Sequence, residues 1–339
     1  LKLPKDSYII LYLGRLCAHA KAHPLSIYQA VSKTAMSCPG KNVILLECGV
    51  FNNKYSEEAY NDLARSTKNL NLKRLGGLIN AKEEEKELAL MAADVFVSPS
   101  DNIQETYGIT VVEAMSAELP VIISDWNGYK DFVLDGETGY LIPTSYYLGS
   151  ENSLDFIDIQ YQLGLINHDY MIGLRSMTTC LDYNLMAERL IFLANNSQKR
   201  IEIGVNAKRY WRSRFSWDIV QKQLRDLWLE LCIERTKAVS TKDQRSSVPP
   251  IKYLFDNYGT NEIKIKNSKF EVSSVNPDII RHRLHNSLSS IIIGTSIDNL
   301  IEYLNQNQFL YITDLSYIGI SIERQPLVIS MLKKFGIIE

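Results

Sequence analysis

The regular alternation of strand-like and helix-like segments over residues 8–142 constrains the fold most strongly. Short apolar runs of strand length, many of them β-branched, alternate with longer segments of helical spacing. Such runs are typical of a parallel sheet that is covered by helices on both faces. Strands are predicted at residues 8–13, 42–47, 72–75, 94–98, 120–124 and 140–142, and helices at 24–36, 55–68, 82–91 and 107–117. The sequence therefore predicts an α/β fold with a doubly wound parallel sheet.

The rest of the chain predicts two further parts. Residues 1–236 form the predicted sheet domain, with an irregular insertion at 145–183 that is rich in Tyr, Asn and Gly, followed by more helices. Polar residues 237–250 form a predicted linker. Residues 251–339 form a small, mostly helical domain with equal numbers of acidic and basic residues. That balance favours self-association or protein docking over nucleic-acid binding.

Composition narrows the range of partners and compartments. The net charge of −2 does not indicate a nucleic-acid partner. Five scattered cysteines without CxxC spacing favour a reducing compartment, so we expect a cytoplasmic protein. No apolar run is long enough to span a bilayer. Peripheral attachment to the inner face of a membrane stays open, because it needs no spanning segment. The chain starts at Leu1 and enters a strand almost at once, which is typical of a piece of a longer protein.

Two glutamates, Glu105 and Glu113, lie eight positions apart on either side of Gly108. They follow the predicted strand at 94–98, and the glycine stands where the next helix begins. A helix N-terminus presents unpaired N–H groups and a partial positive charge, which suit a phosphate group. Two acids beside an anion site indicate a ligand that carries both hydroxyls and phosphates. A nucleotide sugar has this chemistry.

Arg15 and Lys21 follow the first predicted strand. Carboxyl ends of parallel strands meet at one edge of a sheet, so these cations can face the Glu105 region. An Arg fork and a Lys ammonium can neutralise a diphosphate leaving group without a metal. Alone, each could equally be a solvated surface charge, since loop cations are common. Their place opposite the two glutamates favours the functional interpretation.

Each acid and its neighbours have a predicted role. Glu105 would accept hydrogen bonds from sugar hydroxyls, and Glu113 from the hydroxyls of the ribose. The simpler alternative is a loop charge and a helix-face charge, but the apolar neighbours of Glu113 indicate a partly buried carboxylate that needs partners. Backbone N–H groups of Tyr107, Gly108 and Ile109 would hold the phosphates, with Gly108 permitting close approach.

The remaining candidates are weaker. His19 and His23 lie near the cations, and we interpret both as polar loop histidines. Trp126 follows a strand end and is predicted to line the cleft. The histidines and cysteines show no spacing typical of a metal site, and no DxD triplet or nucleophilic triad is present around the motif. We therefore expect no metal and no cofactor.

Together these residues resemble the C-terminal half of a retaining glycosyltransferase of family 4, with the glycosyltransferase-B fold. The resemblance covers residues 8–142 and does not extend to 251–339. It rests on four segments: residues 14–16 followed by Lys21, residues 93–100, the Glu-x7-Glu motif of residues 105–113, and residues 113–122 with 136–140.

The resemblance implies a Rossmann-like domain that binds a nucleotide-diphosphate sugar as substrate, and metal-independent transfer to a glycan or glycoconjugate with retention by front-face displacement. Arg15 and Lys21 match the diphosphate-binding pair, and with Glu105 at the donor sugar they are the predicted catalytic residues. Glu113 matches the glutamate at the ribose. Two features depart from the family pattern: the Arg-to-Lys gap is one residue longer than in the commonest members, and the acceptor domain is absent from these residues.

Two other functions stay open from the sequence. A donor-binding or scaffold module without turnover of its own would dock through residues 251–339. A nucleotide enzyme of another class, such as an epimerase, would need an acid or base near the sugar, and none is evident in the sequence. Nucleotide binding with or without turnover would separate the first alternative from the transferase.

Overall fold

A computed structural model describes residues 3–105, 107–147, 155–237, 251–255, 257–263, 265 and 269–339. Its centre is a six-stranded, fully parallel sheet in the order β3-β2-β1-β4-β5-β6. The strands are β1 (Ser7–Leu13), β2 (Asn42–Val50), β3 (Leu72–Gly77), β4 (Val95–Ser98), β5 (Val121–Ser124) and β6 (Gly139–Ile142). Every predicted strand is present, and the α/β fold with a doubly wound parallel sheet is confirmed.

Helices cover both faces of this sheet. They are α1 (Pro24–Ser37), α2 (Lys54–Ser66), α3 (Glu83–Ala92) and α4 (Ile109–Ser116). Successive side chains of a strand point to opposite faces. In β1, Tyr8, Ile10 and Tyr12 belong to one buried cluster, whereas Ile9 and Leu11 belong to the other. Burial on both sides explains why the strands are continuous apolar runs rather than alternating ones.

The chain after β6 adds short strands and many helices. They are β7 (Thr144–Tyr146), α5 (Phe156–Gln162), α6 (His168–Met177), β8 (Thr179–Leu181), α7 (Tyr183–Asn195), α8 (Ser197–Arg214), α9 (Trp217–Lys237), α10 (Ile251–Phe255), β9 (Asn261–Glu262), β10 (Lys269–Glu271), α11 (Asn286–Ile293), α12 (Ile297–Gln306), β11 (Phe309–Tyr311), α13 (Ile312–Ile318) and α14 (Gln325–Lys334). The C-terminal region is mostly helical, as predicted.

The C-terminal region packs against the sheet half. Strand β9 pairs in parallel with β7, α11 packs on α6, and α14 packs on β8. Buried residues of α14 such as Leu327, together with Phe335, belong to the same apolar cluster as Ile10 of β1. Residues 238–250 of the predicted linker lie outside the described residues. The division into 1–236, 237–250 and 251–339 stays a prediction.

The strand order places the site. The chain proceeds outward from β1 to β3, returns to β4 beside β1, and then proceeds the other way to β6. The order reverses between β1 and β4, and such sheets bind ligands beyond the carboxyl ends of the strands at this point. None of the described helices is long and apolar enough to cross a membrane.

Candidate functional site

The β1 loop (residues 14–23) and the β4 loop (residues 99–105, 107 and 108) meet at the carboxyl edge of the sheet. The side-chain amide of Asn102 donates to the carbonyl oxygen of His19 at 2.5 Å. The Ser100 hydroxyl donates to the carbonyl oxygen of Lys21 at 3.3 Å. These bonds hold the loop that carries Arg15 and Lys21 against the loop that carries Glu105.

Lys21 and Glu105 form an ion pair between Nζ and Oε2. The Glu105 side chain is nearly buried, whereas that of Lys21 is partly exposed. The Glu105 carbonyl oxygen also accepts from the side-chain amide of Asn127. The structure therefore brings two of the predicted residues into contact. Since water reaches the ammonium group, an entering anion could share it with the carboxylate.

A cavity of ≈ 290 Å³ opens at the same edge, beyond β1 and β2. Three of the predicted residues, Arg15, Ile109 and Glu113, line it. Lys21, Glu105, Tyr107 and Gly108 are not among its lining residues. The other lining residues come from the ends of β1 and β2 and from the start of α3: Leu13, Gly14, Cys48, Gly49, Val50, Asn80, Ala81, Glu83 and Lys86, with Thr110 from α4. The cavity thus brings a cation, a carboxylate and the first turn of a helix together.

Lys86 is a second cation at the cavity, beside Arg15, and sequence reasoning missed it. Its Nζ donates to Glu113 Oε1 at 2.8 Å and to Glu83 Oε1 at 3.1 Å. Burial alone would lower the pKa of Lys86, but these hydrogen bonds outweigh it and raise the pKa. The available signal was a single basic residue within the acidic first half of α3. Glu113 therefore has a partner, as its predicted partial burial requires.

Gly108 begins α4 in a left-handed conformation that other residues adopt at a cost. Its φ is 75° and its ψ is 59°. A Cβ atom at this position would lie 2.4 Å from Cε1 of Tyr129. Tyr129 is buried behind the helix start, with its hydroxyl 3.2 Å from the Ser98 hydroxyl. Burial, with the charge of Glu105, raises the pKa of Tyr129, so its hydroxyl stays neutral. Only glycine allows the chain to turn into α4 this close to the ring.

Helix α4 starts at Ile109, so Tyr107 and Gly108 precede it. The first N–H groups of a helix have no partner within the helix, which leaves them available to an anion. Exposed Ile109 borders the cavity, whereas the half-exposed ring of Tyr107 packs edge-on against Phe132 at 5.2 Å. Of the three residues whose N–H groups were predicted to hold the phosphates, only Ile109 lines this cavity.

Of the weaker sequence interpretations, that of Trp126 is wrong. Trp126 does not line the cleft: it is fully buried, and its indole N–H donates to the Asn102 carbonyl oxygen at 3.1 Å. Its role is to support the β4 loop from behind. His23 ends the β1 loop, but it is buried at the N-terminus of α1 and contacts His285. In the part of the chain that the structure describes, no group of three His, Cys, Asp or Glu residues could hold a metal ion.

Two curated glycosyltransferases are among the proteins that are similar to this chain. The capsular polysaccharide biosynthesis glycosyltransferase CapM of Staphylococcus aureus is 25% identical over 231 residues, which cover 67% of this chain and 47% of CapM. The D-inositol 3-phosphate glycosyltransferase of Corynebacterium efficiens is 25% identical over 232 residues, covering 68% of this chain and 44% of that protein. The chain spans about half the length of these curated relatives.

Among solved structures, sucrose-phosphate synthase from Thermosynechococcus elongatus superposes with a TM-score of 0.46 and 19% identity, over 68% of this chain and 47% of that one. The family model of glycosyl transferases group 1 matches residues 1–147. That segment contains all six strands of the parallel sheet and every predicted site residue.

Proposed function

We propose that this chain is the donor-binding part of a retaining glycosyltransferase of family 4. It would take a nucleotide-diphosphate sugar as donor and a glycan or glycoconjugate as acceptor, without a metal. The observation that carries the proposal is the cavity at the carboxyl edge, where Arg15, Glu113 and the first turn of α4 converge. The family match over residues 1–147 and the names of the relatives support the same reaction class.

Each residue has a role in this proposal. The diphosphate lies against the guanidinium of Arg15, the ammonium of Lys21 and the N–H groups at the start of α4, which together stabilise the charge of the leaving group. Glu113 accepts from the ribose hydroxyls, and Glu105 accepts from the donor sugar. Lys21 and Glu105 already touch, so the diphosphate and the sugar would meet at their contact.

The reaction that follows exchanges one bond at the anomeric carbon of the sugar. The bond from that carbon to the diphosphate oxygen breaks while a bond to the acceptor oxygen forms on the same face. The acceptor proton passes to the leaving phosphate oxygen, so the diphosphate itself is the base and configuration is retained. The protein contributes positioning and electrostatic stabilisation.

Binding tests this proposal directly. Calorimetric titration with UDP, GDP and ADP should show saturable binding of at least one nucleoside diphosphate to the wild-type chain. Arg15→Ala should weaken that binding by about 10- to 100-fold, since a hydrogen bond to a charged group contributes about 1.5–3 kcal/mol. Arg65→Ala is the matched control, because Arg65 is an exposed arginine of α2 that pairs with Asp62. A wild-type chain that binds none of the three would contradict the proposal.

The scaffold alternative is favoured by one observation, which is that the chain spans about half the length of its relatives. Such a module would bind the diphosphate, release none from a nucleotide sugar in the presence of acceptor, and dock a partner through residues 251–339. Measuring nucleoside diphosphate release beside the titration separates the two functions. We also propose a cytoplasmic location, because all five cysteines are free thiols.

A further inference from the structure

Lys334, at the C-terminal end of α14, is a buried lysine whose ammonium group has three hydrogen-bond acceptors. Its Nζ donates to Asp101 Oδ2, to the Ser176 carbonyl oxygen at 2.8 Å and to the Thr179 carbonyl oxygen at 3.0 Å. An ammonium group has three protons to donate, and three acceptors surround this one. The lysine thus joins α14 to the β4 loop, to the end of α6 and to the start of β8.

Asp101 is the acceptor that matters for the site, because it lies in the β4 loop four residues before Glu105. Besides Lys334, its carboxylate accepts from the Ser176 hydroxyl at 3.0 Å and from the backbone N–H of His23 at 3.4 Å. His23 ends the β1 loop two residues after Lys21. One buried carboxylate therefore connects both loops of the candidate site, and Lys334 neutralises its charge.

A histidine pair makes a second contact between the C-terminal region and the β1 loop. The backbone N–H of Leu25 donates to His23 Nδ1 at 3.3 Å, so the proton of a neutral His23 is on Nε2. That nitrogen is 3.1 Å from His285 Nδ1, and His285 Nε2 is 2.7 Å from the Ile279 carbonyl oxygen. The row of bonds is complete when both rings are neutral. The ring of Phe335, next to Lys334, stacks on His285 at 4.4 Å.

We infer that residues 269–339 position the two loops of the candidate site, and that Lys334 is the principal positioning residue. Its partner Asp101 is as well buried as Lys334 itself. Without the ammonium group, the carboxylate would be an uncompensated buried charge, and the β4 loop would have to move to hydrate it. That movement would displace Glu105 and, through the His23 N–H, Lys21. The inference rests on the proposed function only for its ligand measurement.

Hydrogen exchange of the unliganded chain tests the positioning without any ligand. In Lys334→Met, peptides from residues 14–23 and 99–105 should exchange faster than in wild type, while peptides from β2 and α2 keep the wild-type rate. Lys333→Met is the matched control: Lys333 lies on the same helix but faces the Phe270 ring, with Nζ 5.4 Å from its centroid. Unchanged loops in Lys334→Met, or a uniform increase along the whole chain, would overturn the inference.

The ligand measurement uses whichever of UDP, GDP and ADP binds the wild-type chain. If the loops hold the binding geometry about a tenth of the time in Lys334→Met, the Kd rises about tenfold. Lys334→Arg keeps the charge and should therefore bind more tightly than Lys334→Met, with most of the wild-type affinity. If Lys334 only filled space, the charge would not be needed to restore the affinity. Ser176→Ala, which removes one bond to Asp101, should show the same pattern more weakly if Lys334→Met does not fold. If the wild-type chain binds none of the three nucleotides, only the proposed function is contradicted. Hydrogen exchange measures the positioning of the two loops without a ligand and still tests the inference.

Discussion

The Lys86–Glu113 pair of the cleft and the Arg175 pairs of the second half of the chain differ in how far water reaches them. In the cleft, the side chains of Lys86 and Glu113 are 24% and 30% exposed. In the second half, Arg175 is 0% exposed and its partners Asp155 and Asp158 are 7% and 6% exposed. Arg175 binds Asp155 with two nitrogens, at 2.6 and 2.7 Å, and binds Asp158 at 2.6 Å.

The difference separates pairs that can exchange partners from pairs that cannot. A partly exposed pair contributes about 0–1 kcal/mol, so an incoming phosphate can replace one partner at little cost. A buried pair contributes little more than a well-packed apolar pair would, but removal of one member leaves a charge that water cannot reach. A ligand could therefore replace a partner in the Lys86–Glu113 pair of the cleft. The buried pairs hold the elements beside it in one arrangement.

The largest effect should come from Arg175→Met, which leaves two buried carboxylates without their cation. We expect a loss of about 3–5 kcal/mol in the free energy of unfolding, measured by urea denaturation. Lys208→Met is the matched control, because Lys208 pairs with Glu118 at 2.8 Å but both side chains are well exposed. It should cost about 0–1 kcal/mol. Equal losses in the two variants would erase the distinction between the two kinds of pair.

The sequence predicted the sheet because its signals are local. Each strand except the edge strand β3 is a short apolar run, and each crossover between the first four strands is long enough for a helix, so most of the strands at residues 8–142 could be placed without knowing any contact. The Glu105 and Glu113 pair and the cations after β1 were found in the same way, since strand ends in a parallel sheet share one edge. The distances between these side chains, and the burial of Trp126 away from the cleft, depend on tertiary packing. The spacing of residues in the sequence does not determine that packing.

The contacts of the second half could not be predicted from the sequence. Lys334 and Asp101 are 233 positions apart, and His23 and His285 are 262 apart. Nothing near either residue in the sequence indicates a partner at that separation. Arg175 lies in a segment that we interpreted as irregular from its Tyr, Asn and Gly content. The Asp residues that bind Arg175 lie outside its own helix, at the start of α5. A buried charge is visible as such only when its surroundings are known.

A second test compares two glycines with nearly the same positive φ. Gly108 and Gly136 have φ values of 75° and 77°, but a Cβ at Gly136 would meet nothing within 4 Å, whereas one at Gly108 would meet the Tyr129 ring. Both Ala variants incur the left-handed strain of about 1–2 kcal/mol. Gly108→Ala should cost about 1–3 kcal/mol more, from the overpacked ring. Urea denaturation gives both values.

The same pair tests the cleft. Gly108→Ala should also weaken nucleoside diphosphate binding, because the start of α4 has to shift away from Tyr129. Gly136→Ala should leave that binding unchanged, since Gly136 is in the turn before β6 and does not line the cavity. Binding that survives in Gly108→Ala would show that the diphosphate does not use this helix start.

The smallest expected effect is a pH dependence of the free energy of unfolding that comes from His285, in the contact between the C-terminal region and the β1 loop. Burial, reinforced by the positive charge of Lys334 and by His282, lowers the pKa of His285 to about 3, although its bond to the Ile279 carbonyl oxygen opposes the shift. His23 faces the ring from α1, and burial together with the charges of His285, Lys334 and His282 lowers its pKa as well. Asp101 is the carboxylate on the other side of Lys334. The folded protein therefore keeps His285 neutral at pH values where the unfolded chain protonates it.

Because the unfolded state binds the extra proton, this histidine makes the folded state less stable as pH falls below the ordinary histidine pKa of about 6.5. Between pH 7 and pH 6, the contribution of one such group is about 0.7 kcal/mol. His285→Gln removes that group, and its carbonyl can still accept from His23 Nε2. Urea denaturation at both pH values should therefore show a loss about 0.7 kcal/mol larger in wild type than in His285→Gln. The raised pKa of His19, which comes chiefly from its hydrogen bond with Cys17, acts in the opposite direction but equally in both proteins, so it cancels from the difference. Identical losses would mean that water reaches His285, and the buried C-terminal contact would then resemble the exposed pairs of the cleft.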